Sequence, residues 1–380
     1  MRAIGSRLLA RLDGAIAKTR DPVELACLRA ERAAFFGRQG QVELAREHLR
    51  EIQRQFSPRP HVTVSAAVAL AEGQIDHYGH LAAAAHDRFK RAHALSAAAQ
   101  LRRLQAVSAA WLAHTFEARG DHARMASLSA EAVTLADADH HAAHWRVGLT
   151  VGNAYHFAGR LDRARPWYAS SRKHALAHGD EVALSALMRN QAAVRASHAR
   201  MTAAFGGVSE AEAVEAVMGA ESSARFDAHM GLQSLDWMVP MLRAQLLVLE
   251  ERFDEALEFF DRHWDRADPA WRQRMQPCLL ADRAWCLLKT GAREQAREEM
   301  EQAAKSLDAR CEIGDRALAH ARMAQLHAAF GNAAESVRHW EQAEADRAAH
   351  DEEQRQVVVL LDKALAGMEP VLHGRSTEKS

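Results

Sequence analysis

Histidine is the residue type through which this chain could most readily do chemistry, with 22 in 380 residues. His77 and His80 are three apart, and His140/His144 and His174/His178 are four apart, spacings that put each pair on one face of a helix. Two imidazoles on one face can hold a metal ion. A stable structural zinc site usually takes four ligands, commonly with Cys among them. Cys27, Cys278, Cys286 and Cys311 lie away from these pairs and form no CxxC. The expectation is therefore polar histidines with no metal and no cofactor, and reduced, mostly buried thiols. Imidazoles also titrate between about pH 5 and 8, a response to which the sequence alone assigns no direction.

Other recognised chemical devices are absent from the sequence: no Walker-type phosphate loop, GxGxxG, GxSxG, HExxH or EF-hand loop occurs. A non-enzyme is expected. Lys and Arg total 49 against 50 Asp and Glu, a formal charge of -1, so no global field draws the protein to nucleic acid or an anionic membrane. The charge is uneven: residues 1–60 carry 12 basic and 7 acidic groups, residues 208–262 carry 4 and 12. Solvated helix faces account for this. Arg7, Arg11 and Asp13 interrupt the apolar residues of the N-terminus, and no stretch approaches the length of a membrane span. A cytoplasmic protein without membrane insertion is expected.

The elements that would position any site emerge from a repeat. Gly40, Gly79, Gly120 and Gly159 are spaced by 39, 41 and 39, and Gly291 and Gly331 by 40. Around Gly159, two amphipathic segments flank the glycine, with Gly152 and Tyr155 before it and Ala164 and Tyr168 after it. Small residues let two helices touch and large ones fill the gap. The same frame gives Ala33, Phe36, Gly40, Ala45 and Leu49; Ala113, Phe116 and Gly120; Ala284, Leu287, Gly291, Ala296 and Met300; and Ala324, Gly331 and Trp340. Some units depart from it. The second fits Gly73, Ala85 and Phe89 only with a longer turn, the fifth has about seven extra residues near Gly206 (SHARMTAAFGG), and the sixth has Glu251 at the glycine position.

These residues resemble the tetratricopeptide repeat (TPR), and the forty-residue period resembles the TPR region of MalT-like bacterial regulators, over roughly residues 22–346. The resemblance implies an all-α fold: a right-handed superhelical solenoid of antiparallel helix pairs, with about eight repeats of about 40 residues. Solenoids need covered ends. Residues 1–21 are expected to form an N-terminal capping helix bearing Ile4, Leu8, Leu9, Leu12 and Ile16. Residues 347–369 are expected to form a C-terminal one whose VVVLL run, 357–361, covers the last repeat. Residues 370–380 should be a flexible tail. MalT-like regulators carry separate output domains, for which the repeats here leave no room.

In that family the first helix of each pair lines a concave face. The frame then nominates a ligand-binding groove of Gln74, His77, Trp111, His114, Asn153, His156, Asn190, Gln245, Asp282, Trp285, Arg322 and Gln325. His77, His114 and His156 fall in successive units as a polar ladder, and the Asn190 amide could bond an extended peptide. The function these features imply is a non-catalytic scaffold or adaptor that binds a peptide or helix of another protein in the groove. The alternative is a ligand- or peptide-responsive regulator without its own DNA-binding domain, with the extra residues near Gly206 and Gly207 as a hinge. Exposed apolar positions on an array edge would serve homo-oligomerisation as readily as a partner.

Overall fold

A computed structural model describes residues 6–80, 83–207, 210–308, 311–368 and 370. Among them every regular element is helical. The helices are α1 (Arg7–Lys18), α2 (Pro22–Arg38), α3 (Val42–Phe56), α4 (Val62–His80), α5 (Ala83–Ala98), α6 (Arg102–Glu117), α7 (His122–Leu135), α8 (His141–Phe157), α9 (Leu161–His178), α10 (Glu181–Ala204), α11 (Glu210–Met230), α12 (Met238–Leu249), α13 (Phe253–His263), α14 (Pro269–Lys289), α15 (Arg293–Ser306), α16 (Ile313–Ala329) and α17 (Ala333–Ala364). No helix is long and apolar enough to cross a membrane, among the described residues.

Several helices start at a side-chain cap that the sequence supplies. Asp21 accepts from the Glu24 amide with Pro22 at the first helical position, and Asp268 accepts from the Trp271 amide ahead of Pro269. Helices α2, α6, α8, α12, α14 and α16 end at a recurring turn. The amide after the turn residue donates to the carbonyl five back: Gln41 to Phe36, Asp121 to Phe116, Arg160 to Tyr155, Arg252 to Leu247, Ala292 to Leu287 and Asn332 to His327. This hydrogen bond satisfies an orphan carbonyl and needs a left-handed turn residue. Gly40, Gly120, Gly159, Gly291 and Gly331 all have positive φ. Glu251, in the corresponding place, is forced to φ 58°.

The helices are arranged as eight successive pairs, α2/α3 to α16/α17. The frame residues meet as their sizes require: a β-carbon at Gly152 would lie 2.7 Å from the Tyr168 ring, and one at Gly73 would lie 2.6 Å from Phe89. Two expectations fail locally. Gly79 is not a turn residue; it lies inside α4, against Val42. The extra residues of the fifth unit do not form a loop either, because α10 simply runs 24 residues where α8 runs 17. Ala196, Ala199 and Arg200 in that stretch are buried, and Gly206 and Gly207 follow the end of α10, Gly206 at φ 81°.

The chain divides into two compact units, where one continuous array was expected. The first comprises the residues up to 187, with 225–235 and the segment from 356 onward; the second comprises 188–224 and 236–355. In the first unit, Trp111, Trp145, Phe35 and Phe89 sit in one large core. The N-terminal helix buries Leu8 and Leu12 in it, and the Leu8 amide donates to the Gly179 carbonyl at 3.1 Å. The C-terminal helix is the continuation of α17. Its Val357, Leu361 and Leu365 are buried in the first unit's core, and Tyr155 donates to Asp362 at 2.7 Å. Those residues therefore belong to the core of the first unit. In the second unit, Ala192 and Ala196 of α10 pack with Ala216 and Ala220 of α11, and Ala281, Met300 and Met323 join α14 to α16. Residues 1–5 of the expected N-terminal helix, residue 369 of the expected C-terminal one and the expected tail, Pro370 apart, lie outside the described residues.

Candidate binding site

The expectation of an exposed groove is corrected at six positions. Gln74, Trp111, Asn153, His156, Gln245 and Asp282 are buried, because each first helix is packed against its own partner and against the helices of neighbouring pairs. His77, His114, Asn190, Trp285, Arg322 and Gln325 are half-buried.

In the first unit the structure gathers His77, Trp111 and His114 into one aromatic layer. The His77 ring lies 5.0 Å from His114 and 5.4 Å from Trp111, edge-on to both. Trp111 stacks on Phe89 at 5.2 Å and meets Trp145 edge-on at 5.7 Å. The ladder stops at two rungs. His156 is turned to Tyr168, whose hydroxyl donates to Asn153 Oδ1 at 3.0 Å and lies 3.2 Å from His156 Nδ1. Asn153 and His156 thus knot α8 to α9 in the interior.

Two arginines that the sequence reading overlooked give this layer its charge. Arg38, on α2, donates from Nη2 to both oxygens of Asp180 at 2.7 Å and lies over Trp145 at 5.2 Å. Asp180 also caps α10 by accepting from the Ala183 amide. Burial alone would raise its carboxyl pKa; Arg38, then His178, outweigh burial and hold it well below the usual range. Arg146, on α8, is 2% exposed and lies over Trp111 at 4.7 Å and Trp145 at 5.3 Å. It contacts the Thr150 hydroxyl at 3.5 Å, and among the described residues its buried Nε has no partner and no carboxylate bonds it. Burial lowers its pKa to about 10; Tyr78 and Glu117 partly offset this, and Arg38 adds to it. It therefore stays cationic at neutral pH. The layer holds two guanidinium groups and two carboxylates: Asp180 is bonded to Arg38, and Glu117 lies 3.3 Å from His114 Nδ1, so that among the described residues no carboxylate is bonded to Arg146 itself. His114 feels it: burial first, then Arg146 and His77, pushes that imidazole well below its ordinary pKa.

In the second unit, four nominated residues converge. Asp282 accepts from Arg200 at 2.8 Å and from Arg322 at 3.2 Å, and Arg322 donates to Gln325 at 2.7 Å while lying 5.1 Å from the Trp285 ring. Their polar groups largely satisfy one another. Gln245 keeps a buried Nε2 without a partner among the described residues, and Asn190 lies half-buried on α10.

Arg146 could have been found in the sequence as the charge inside the run HWRVGLTVG. Asp180 was visible only as a residue after Gly179; its pairing with Arg38, 142 residues away, was not. The sequence also passed over His320, His327, Glu335 and His339, which come together across the α16/α17 turn. Comparison with protein-family models and with curated proteins finds no match to this chain.

Proposed function

We propose that this chain is a non-catalytic, TPR-like interaction protein that holds an acidic segment of another protein at the α4–α6–α8 layer of its first unit. Superhelical stacking of the pairs and the kinship with MalT-like TPR regions belong to the same proposal. One observation carries it: Arg146 is a buried guanidinium with no carboxylate bonded to it among the described residues. An unpaired buried charge is costly, and an incoming carboxylate would supply the charge-assisted bond it lacks. His77 and His114, half-buried on the same layer, add polar edges for a ligand backbone. The frame of small and large residues supports the TPR-like part of the reading, since it is a packing frame shared by the pairs.

The complete burial of Arg146 favours a second reading, the ligand-responsive regulator. A small anion that reaches Arg146 must displace the side chains over it, so binding would change the layer itself. Both readings are tested by titrating the protein with a hexaglutamate peptide and, separately, with citrate, following tryptophan fluorescence and melting temperature. The adaptor reading expects the peptide to bind and Arg146→Met to weaken it at least about tenfold, the worth of one charge-assisted bond. Binding of citrate alone, lost in the same variant, selects the regulator. Equal binding by wild type and variant, or no binding of either probe, defeats both.

A further inference from the structure

The last helix pair carries a group of side chains that the binding reading leaves unused. His327, near the end of α16, meets Glu335 and His339 of α17 across the Gly331 turn, and one ligand-type atom from each lies within 4.8 Å of the others. The His327 and His339 rings stack at 5.2 Å with planes 12° apart. His320, two turns back on α16, brings its Nδ1 to 2.8 Å from Nδ1 of His339. Nδ1 of His327 is buried and has no hydrogen-bond partner among the described residues. Spacing explains the convergence: 320 and 327 are seven apart and 335 and 339 four apart, so each set shares one face of its helix.

We propose that His327, Glu335 and His339 bind a divalent transition-metal ion of the zinc class, with His320 holding the His339 ring in position. Two imidazoles and a carboxylate suit zinc, cobalt or nickel and disfavour magnesium and calcium, which take oxygen ligands. A proton on Nδ1 of His339, donated to His320, leaves Nε2 with the lone pair that a metal needs; such an outer hydrogen bond usually fixes a ligating histidine. Burial lowers the pKa of His320, His327 and His339, and the neighbouring imidazoles take His339 further, to about 4. Ligation takes the neutral form of each imidazole. Tetrahedral bonds of 2.0–2.1 Å place ligand atoms about 3.4 Å apart, so the group closes by little more than an ångström. Glu335 must release Arg338, an exposed ion pair worth little. A fourth position remains for water or an outside ligand.

The first unit supplies a control. His141 and His174 also place Nδ1 atoms 2.9 Å apart, a contact that one shared proton explains and that has no carboxylate within the same span among the described residues. The test is calorimetric titration of chelator-stripped full-length protein with zinc, and visible absorption on adding cobalt. One zinc per chain and a tetrahedral cobalt spectrum are expected. Glu335→Gln and His327→Gln should each weaken zinc at least about tenfold with helicity unchanged by circular dichroism. His320→Gln should weaken it about tenfold, the usual effect of losing an outer hydrogen bond. His141→Gln/His174→Gln should change nothing. No zinc uptake by folded wild type, unchanged affinity in Glu335→Gln and His327→Gln, or loss only in the His141/His174 variant overturns the proposal.

Discussion

Arg38 and Arg146 share the Trp145 ring, yet their surroundings give them opposite worth. Arg38 is matched by Asp180, itself wholly buried. Replacing Arg38 by Met strands that carboxylate in the interior, and a broken buried pair costs about 3–5 kcal/mol. Arg146 has no carboxylate to strand. Replacing it by Met removes a desolvated charge and keeps much of its contact with Trp111, so stability should hold or rise, by up to about 4 kcal/mol on the precedent of buried ion groups replaced by apolar ones. Urea denaturation of the two variants checks this: the midpoints should move in opposite directions, or Arg146→Met should stay at the wild-type value. A large loss in Arg146→Met would show that its charge is compensated inside the unit and would remove the ground for an anionic ligand.

At the scale of the helix pair, one backbone device recurs. The carbonyl of the large frame residue, Phe36, Phe116, Tyr155, Leu247 or Leu287, accepts the amide just beyond the turn. The frame was legible because two demands fall on the same residues: the side chain fills the gap between helices, and its carbonyl closes the helix end. Glu251 departs from the device in identity and keeps its geometry, with the Arg252 amide still 2.9 Å from the Leu247 carbonyl. A left-handed residue with a β-carbon costs roughly 1–2 kcal/mol, and glycine's extra unfolded-state freedom returns part of that. Glu251 is exposed, so Glu251→Gly should stabilise the protein by about 0.5–1 kcal/mol, read as a higher denaturation midpoint. What the period concealed is equally physical. The fifth unit's seven extra residues add two helical turns, and helix periodicity continues through them without a break that composition would reveal.

At the scale of the whole chain, residues far apart in sequence complete one unit. Val357, Leu361 and Leu365 are buried in the first unit's core, and fully burying such side chains contributes about 1.5–3 kcal/mol each. Truncation after Arg355 should therefore speed hydrogen exchange in α8 and α9 markedly, while the α14–α15 pair of the second unit exchanges as before. The histidines supply a second property of the whole. Burial lowers the pKa of His86, His140, His141, His144, His263 and His350, and of the α16/α17 group. For such groups the unfolded chain takes up protons first, near pH 6.5, so their contribution to stability is present above that pH and is lost as pH falls toward the lowered folded values. Melting temperature should accordingly drop between pH 7 and pH 5, with the Asp315 carboxyl, raised by burial to about 6, opposing the many imidazoles as a single group; a flat profile would count against buried neutral imidazoles.

The sequence by itself determined the helical class, the eight pairs and most of their turns, because these depend on local periodicity, on glycine's access to positive φ, and on small residues facing large ones at fixed spacing. It also nominated His77, Trp111 and His114, which do come together, and Asp282, Trp285, Arg322 and Gln325, which form a second group. Only the tertiary structure decided which polar residues are buried, since exposure depends on neighbouring pairs that the frame of one pair cannot register. It alone joined Arg38 to Asp180, left Arg146 without a carboxylate, and divided the chain into two units. Those outcomes rest on contacts between residues distant in sequence, and no local pattern encodes such a contact.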